Sequence, residues 1–107
     1  MKRLPVTDYE GLYEVSESGI IYSLDRVILG RDGVEYPRKG IQLSQTIHKD
    51  TGYLMVSLWK NNKGVNHYVH RVVAQAFIPN PDAKPEVNHK DSNRLNPKAS
   101  NLEWVTR

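Results

Sequence analysis

The chain has 107 residues, 38% of them hydrophobic, with fifteen Lys and Arg against twelve Asp and Glu for a formal net charge of +3. That size and apolar content limit it to one domain with a modest core, or one small domain with an arm, and the mild positive excess permits a phosphate-bearing partner without demanding one. The lack of any cysteine excludes disulfides and four-cysteine zinc and suits a cytoplasmic location, while no apolar run nears the roughly eighteen residues of a membrane span and no apolar signal core follows the charged start.

The acids gather early, at Asp8, Glu10, Glu14 and Glu17, and from Arg38 onward bases lead. Tyr13-Glu14-Val15 alternates as a strand, and Ile20 to Leu24 is β-branched and aromatic. Ser16 to Gly19 between them reads as a hairpin loop in which Gly19 takes positive φ. Residues 26–40 are polar and broken by Gly30, Gly33, Pro37 and Gly40. They read as a loop or a loose hairpin around Val34 to Tyr36. Its tail, Arg38 and Lys39, is either solvated or follows a phosphate backbone; Lys49, in the turn Lys49 to Gly52, is a further candidate.

Ile41 to Gln45 alternates as a strand, and Tyr53 to Trp59 is the best strand in the chain. Leu54, Val56 and Leu58 line one face of it. A tight turn over Asn61 to Gly64 returns the chain as Val65 to Val69, with His67 read as a surface residue of the sheet. Helical period begins at His70: Val72, Val73, Ala76 and Phe77 form one stripe, with Arg71 and Gln75 opposite. The prolines at 79 and 81 stop the helix near Ile78. His70, at the strand-to-helix junction, either bonds backbone or faces a site, and Arg71 either pairs with an acid or meets a phosphate.

The stretch Val87 to Thr106 places His89 straight after Asn88 and Asn101 twelve positions later, with the turn formers Asp91, Ser92, Asn93, Asn96 and Pro97 between. Two short strands joined by an ordered loop bring Asn101 back beside His89. An imidazole serves as a general base when its ring and proton are fixed by a second group; an amide oxygen or backbone carbonyl near Asn101 supplies one. Asn88 offers an oxygen ligand to a hard divalent cation, Mg²⁺ or Mn²⁺, which together with the base suits hydrolysis of a phosphate ester. The same residues are also ordinary turn chemistry. Leu102 and Trp104, in alternation, are expected to bury against the helix with Phe77.

Read together, His70 to Phe77, Pro79-Asn80-Pro81, Val87 to Asp91 and Asn101 to Thr106 resemble the HNH endonucleases, more narrowly the phage and intron homing type with a ββα-metal active site. The resemblance implies Asn88 as metal ligand, His89 as general base and Asn101 as the residue that orients it. It also implies a helix beyond Thr106 carrying a third signature Asn or His, three residues past Arg107, outside the 107 residues given. Residues Tyr9 to Leu24 are similar to a nuclease-associated modular DNA-binding motif at the front of many phage HNH nucleases, although Leu4-Pro5-Val6 stands where a Trp is usual.

The expectation is an α+β chain: an N-terminal hairpin, a small three-stranded antiparallel sheet, one short helix, and the ββ part of a ββα-metal motif. Residues 1–40 form the DNA-binding hairpin motif and loop, and 41–107 the HNH nuclease domain without its C-terminal helix. The implied function is metal-dependent nicking or cleavage of double-stranded DNA, with Arg38, Lys39, Lys49, His70 and Arg71 on the DNA. The alternative is a catalytically impaired HNH-derived DNA-binding protein.

Overall fold

The computed structural model describes residues 2–107. Among the described residues four small antiparallel sheets accompany one α-helix, an α+β architecture. The first sheet contains β1 (Arg3–Pro5), β2 (Tyr13–Ser16) and β3 (Ile21–Ser23). The β2–β3 hairpin closes at the expected turn: Ile20 N donates to Ser16 Oγ at 3.1 Å, and Gly19 N donates to Ser16 O at 3.0 Å. Gly19 has φ +92°, and a Cβ there would sit 2.5 Å from Pro97 Cγ. The turn is therefore pressed against the loop that follows His89, and Ala99 N donates to Glu17 O at 2.8 Å across the same seam.

Residues 26–38 form a full hairpin of β4 (Arg26–Leu29) and β5 (Glu35–Arg38), paired from Arg26 with Arg38 to Leu29 with Glu35. Gly33, at φ +78°, completes its turn. Val27, Leu29, Val34 and Tyr36 of this ribbon stay exposed.

The strand expected over Ile41 to Gln45 is corrected to one bridge, Gln42 with Tyr22. Two backbone bonds hold this segment to β3, Ser23 N to Ile41 O and Leu43 N to Ile21 O, both 2.8 Å. It then turns away as Gln45 Nε2 donates to Gly19 O at 2.7 Å. The third strand of the central sheet is β6 (Thr46–Ile47), beside β7 (Leu54–Lys60) and β8 (Lys63–Tyr68).

Alternation on β7 is as expected: Val56 and Leu58 are buried while Ser57 and Trp59 face out. Asn61 and Asn62, at φ +54° and +62°, make the two-residue turn whose twist suits a hairpin. His67 is not a free surface residue: it is partly buried, and its Nε2 bonds Tyr9 Oη at 2.9 Å, because the β1–β2 connection lies over β8.

Strand β8 runs without a break into α1 (Val69–Phe77). Val69, Val72 and Val73 are buried, and the helix packs on β2, β7, β8 and the last strand, β10 (Leu102–Val105). Val69 thus begins the helix instead of ending a strand. Proline 79 ends it, with Ile78 N bonded to Ala74 O at 3.0 Å. Ile21, Val15, Leu58, Val73 and Leu102 fall in one cluster, so residues before and after position 40 share a core. Trp104 packs at its edge, partly rather than largely buried, with Nε1 donating to Ile78 O at 3.0 Å. No helix among the described residues is long and apolar enough to cross a membrane.

Candidate active site

Strand β9 (Glu86–His89) pairs antiparallel with β10, placing His89 opposite Leu102 and Asn88 opposite Glu103. The loop between them is tied by its own short polar side chains. The Asp91 carboxylate accepts from Asn93 N (2.8 Å), Asn96 Nδ2 (2.9 Å) and Asn101 Nδ2 (3.0 Å). Those bonds, that from Asn96 foremost, hold its pKa below the usual carboxylate value. Lys90 N donates to Asn101 O at 2.7 Å, closing the loop at its base. Asn101 does return beside His89, as its spacing predicts. Its carboxamide, however, bonds Asp91 and Asn96, so it shapes the loop rather than gripping the imidazole.

His89 is 5% exposed. Its ring lies nearly parallel to Tyr53, 18° between planes and 5.5 Å between centres. His70 stands 4.8 Å away on its own buried site at the head of α1, and Tyr53 touches it too, at 4.6 Å. An aromatic wall thus orients the His89 ring where a hydrogen bond was expected. Burial lowers the His89 pKa, with Arg94 acting in the same direction and Asp91 against it. Burial, His89 and Arg71 together bring His70 down to about 4. Both imidazoles are neutral at pH 7. The buried Nε2 of His89 and Nδ1 of His70 have no hydrogen-bond partner. With Nε2 enclosed, Nδ1 is the His89 nitrogen left to take a proton from the cleft.

That cleft holds about 200 Å³ and is lined by Tyr53, Val87, Asn88, His89, Ser92 and Arg94. Asn88 is exposed at its rim and donates from Nδ2 to Glu103 Oε1 at 2.9 Å. Its Oδ1 remains as a hard oxygen donor. Among the described residues no three His, Cys, Asp or Glu side chains gather around a common point. The donor set accordingly fits a hard cation that keeps most of its water and takes one protein oxygen, and does not fit a closed site such as structural zinc.

The remaining candidates separate. Lys49 is exposed on the turn that ends at Gly52, against which Arg94 packs. Arg38 and Lys39 lie at the foot of the β4–β5 hairpin, outside the cleft. Arg71 donates to Pro85 O at 3.2 Å and lies 5.9 Å over the Trp104 ring, so its local partners are a carbonyl and an indole, not an acid. Sequence reasoning missed Tyr53, Asp91 and Arg94. Asp91 carried a signal in its Asp-x-Asn turn. Tyr53 carried none, since it arrives from the turn that leads into β7.

A neutral, buried histidine at the end of a two-stranded ribbon, opening on a small polar cleft, is suited to single-base hydrolysis. Comparison with known proteins gives this class its family. Residues 1–59 match the NUMOD4 motif and residues 67–107 match the HNH endonuclease family. DNA endonuclease I-HmuI of Bacillus phage SP01 is 36% identical over 102 residues, spanning 95% of this chain and 51% of that protein. H-N-H endonuclease F-TflII of Escherichia phage T5 is 32% identical over 77 residues, 70% of this chain and 40% of that one. The solved structure described as DNA binding and cleavage by the HNH homing endonuclease I-HmuI superposes with a TM-score of 0.76, covering 99% of this chain and 53% of that chain. The chain belongs to the HNH endonucleases that carry a NUMOD4 motif. It spans about half the length of I-HmuI. HNH endonucleases generally use divalent metal ions.

Proposed function

We propose that the protein is a DNA endonuclease that hydrolyses phosphodiesters of double-stranded DNA with Mg²⁺ or Mn²⁺ and works in the cytoplasm. The observation that carries this is the His89 imidazole, neutral, stacked on Tyr53 and opening on a cleft. Neutral imidazole accepts a proton from an attacking water at Nδ1, and the fixed ring spares the cost of orienting it. Asn101 and Asp91 keep the loop closed, so the base and the cleft wall hold one geometry. Asn88 Oδ1 would hold the cation at the rim, and the cation would supply neutralisation of the charge on the leaving oxygen. Residues 1–40 bring DNA to the site through Arg38 and Lys39, and residues 41–107 carry the chemistry, with Lys49 and His70 beside it.

Plasmid nicking with Mg²⁺ or Mn²⁺, against a chelator control, tests the reading. Metal-dependent nicking by the wild type, removed in His89→Ala, supports it. Equal nicking by His89→Ala overturns the assignment. Binding to DNA without cleavage under either metal selects the alternative, an HNH-derived DNA-binding protein with impaired catalysis.

A further inference from the structure

Among the described residues, Arg94 is the only cationic side chain lining the His89 cleft. An exposed arginine ordinarily keeps its rotamer freedom; this one is held from two sides. Its Nη1 donates to Thr51 O at 2.6 Å, forty-three positions away in sequence. Its guanidinium carbon stands 5.1 Å from the centre of the Tyr53 ring, the ring that stacks on His89. The turn at Gly52 closes on its stem, since a Cβ there would lie 3.7 Å from Arg94 Cδ. No ion pair among the described residues involves Arg94, and Asp91, three positions before it, is committed to Asn93, Asn96 and Asn101. The result is a positioned fork of N–H donors whose charge no acid offsets, next to a base. A phosphodiester oxygen pair is the ligand that such a fork fits.

We propose that Arg94 is the phosphate clamp of the cleft, gripping the nucleic-acid phosphodiester on which His89 acts, with Thr51 and Tyr53 holding it in place. The proposal rests on the endonuclease reading for its chemistry but not for its binding. Tyr53 then has two tasks, since one ring sets both the angle of the base and the place of the cation. One phosphate group thereby becomes the point on which base and clamp converge.

The test uses Arg94→Gln and Arg94→Lys in the full protein, with duplex DNA as the probe. In a chelating buffer, Arg94→Gln lowers the slope of log affinity against log salt by roughly 0.9, the amount for one lost phosphate contact. With metal, its nicking rate at saturating DNA falls about 10²-fold. Arg94→Lys keeps the slope, because the charge remains, and still loses about tenfold in rate, because the planar fork is gone. An Arg94→Gln slope equal to that of wild type together with a rate within twofold of it overturns the clamp, as does a loss of thermal stability with an unchanged slope. If the wild type never nicks and the Arg94→Gln slope still drops, the clamp stands and the endonuclease reading fails. If the wild type nicks and Arg94→Gln matches it in slope and rate, the clamp fails and the endonuclease reading stands.

Discussion

Two neutral imidazoles packed side by side set the pH behaviour of this protein. In the proposed function cleavage requires neutral His89, whose pKa burial lowers, so activity measured down the pH scale should persist below about 6.5, the free histidine value, before it falls. A midpoint above that value would contradict the burial argument. His89→Ala should lose about 10²–10⁴ in nicking rate while binding DNA nearly as before, because a base acts in the transition state and not in docking. His70 supplies a stability prediction. In the native protein it resists protonation down to about 4, whereas in the unfolded chain it protonates near 6.5. Its contribution is complete above that unfolded value and drains away as pH falls toward the folded one, at most about 3 kcal/mol in all. Urea midpoints at neutral pH and near pH 4 should differ accordingly, and His70→Gln should flatten the difference.

The elements are short, and their junctions matter more than their lengths. Gly19 is where the N-terminal hairpin meets the loop after His89, and both its positive φ and the nearby Pro97 forbid a side chain. Gly19→Ala should cost about 1–3 kcal/mol through backbone strain alone, with the contact adding to it; an unchanged melting temperature would show that the seam is not tight. At the C-terminal end of α1, Trp104 is only partly buried but ties β10 to Ile78 O. Trp104→Ala should cost about 2–4 kcal/mol, at or below the range for fully buried aromatics, and Trp104→Phe should recover the packing share without the hydrogen bond. The strand expected over Ile41 to Gln45 was misplaced for a related reason. Its alternation was real, but two bonds to β3 and one from Gln45 to Gly19 O use up the segment before a strand can form.

Across the whole molecule, basic residues divide by place, between those at the His89 cleft or the β4–β5 hairpin and those packed elsewhere. Arg38→Gln and Lys39→Gln should each lower the salt slope of duplex binding by roughly 0.9, as free phosphate contacts do. Arg71→Gln should leave that slope unchanged, since Arg71 lines neither the His89 cleft nor the foot of the β4–β5 hairpin and packs instead on Pro85 and Trp104. A fall in slope for Arg71→Gln would mean that those local contacts yield to DNA.

Much of this protein was legible in its residues taken in order. The hairpin at Ser16 to Gly19, the inward face of β7, the helix stopped by proline and the pairing of β9 with β10 are products of local chemistry: alternation, turn formers and fixed φ act within a few residues. The candidate base was legible for the same reason, because Asn88, His89 and Asn101 lie on one ribbon and its loop. Tertiary structure alone decided what surrounds that base. Tyr53 comes from the turn before β7, His70 from the strand-to-helix junction and Arg94 from a loop seated on Thr51 O. Stacking and desolvation depend on distance in space, and no spacing along the chain records which distant ring will cover an imidazole.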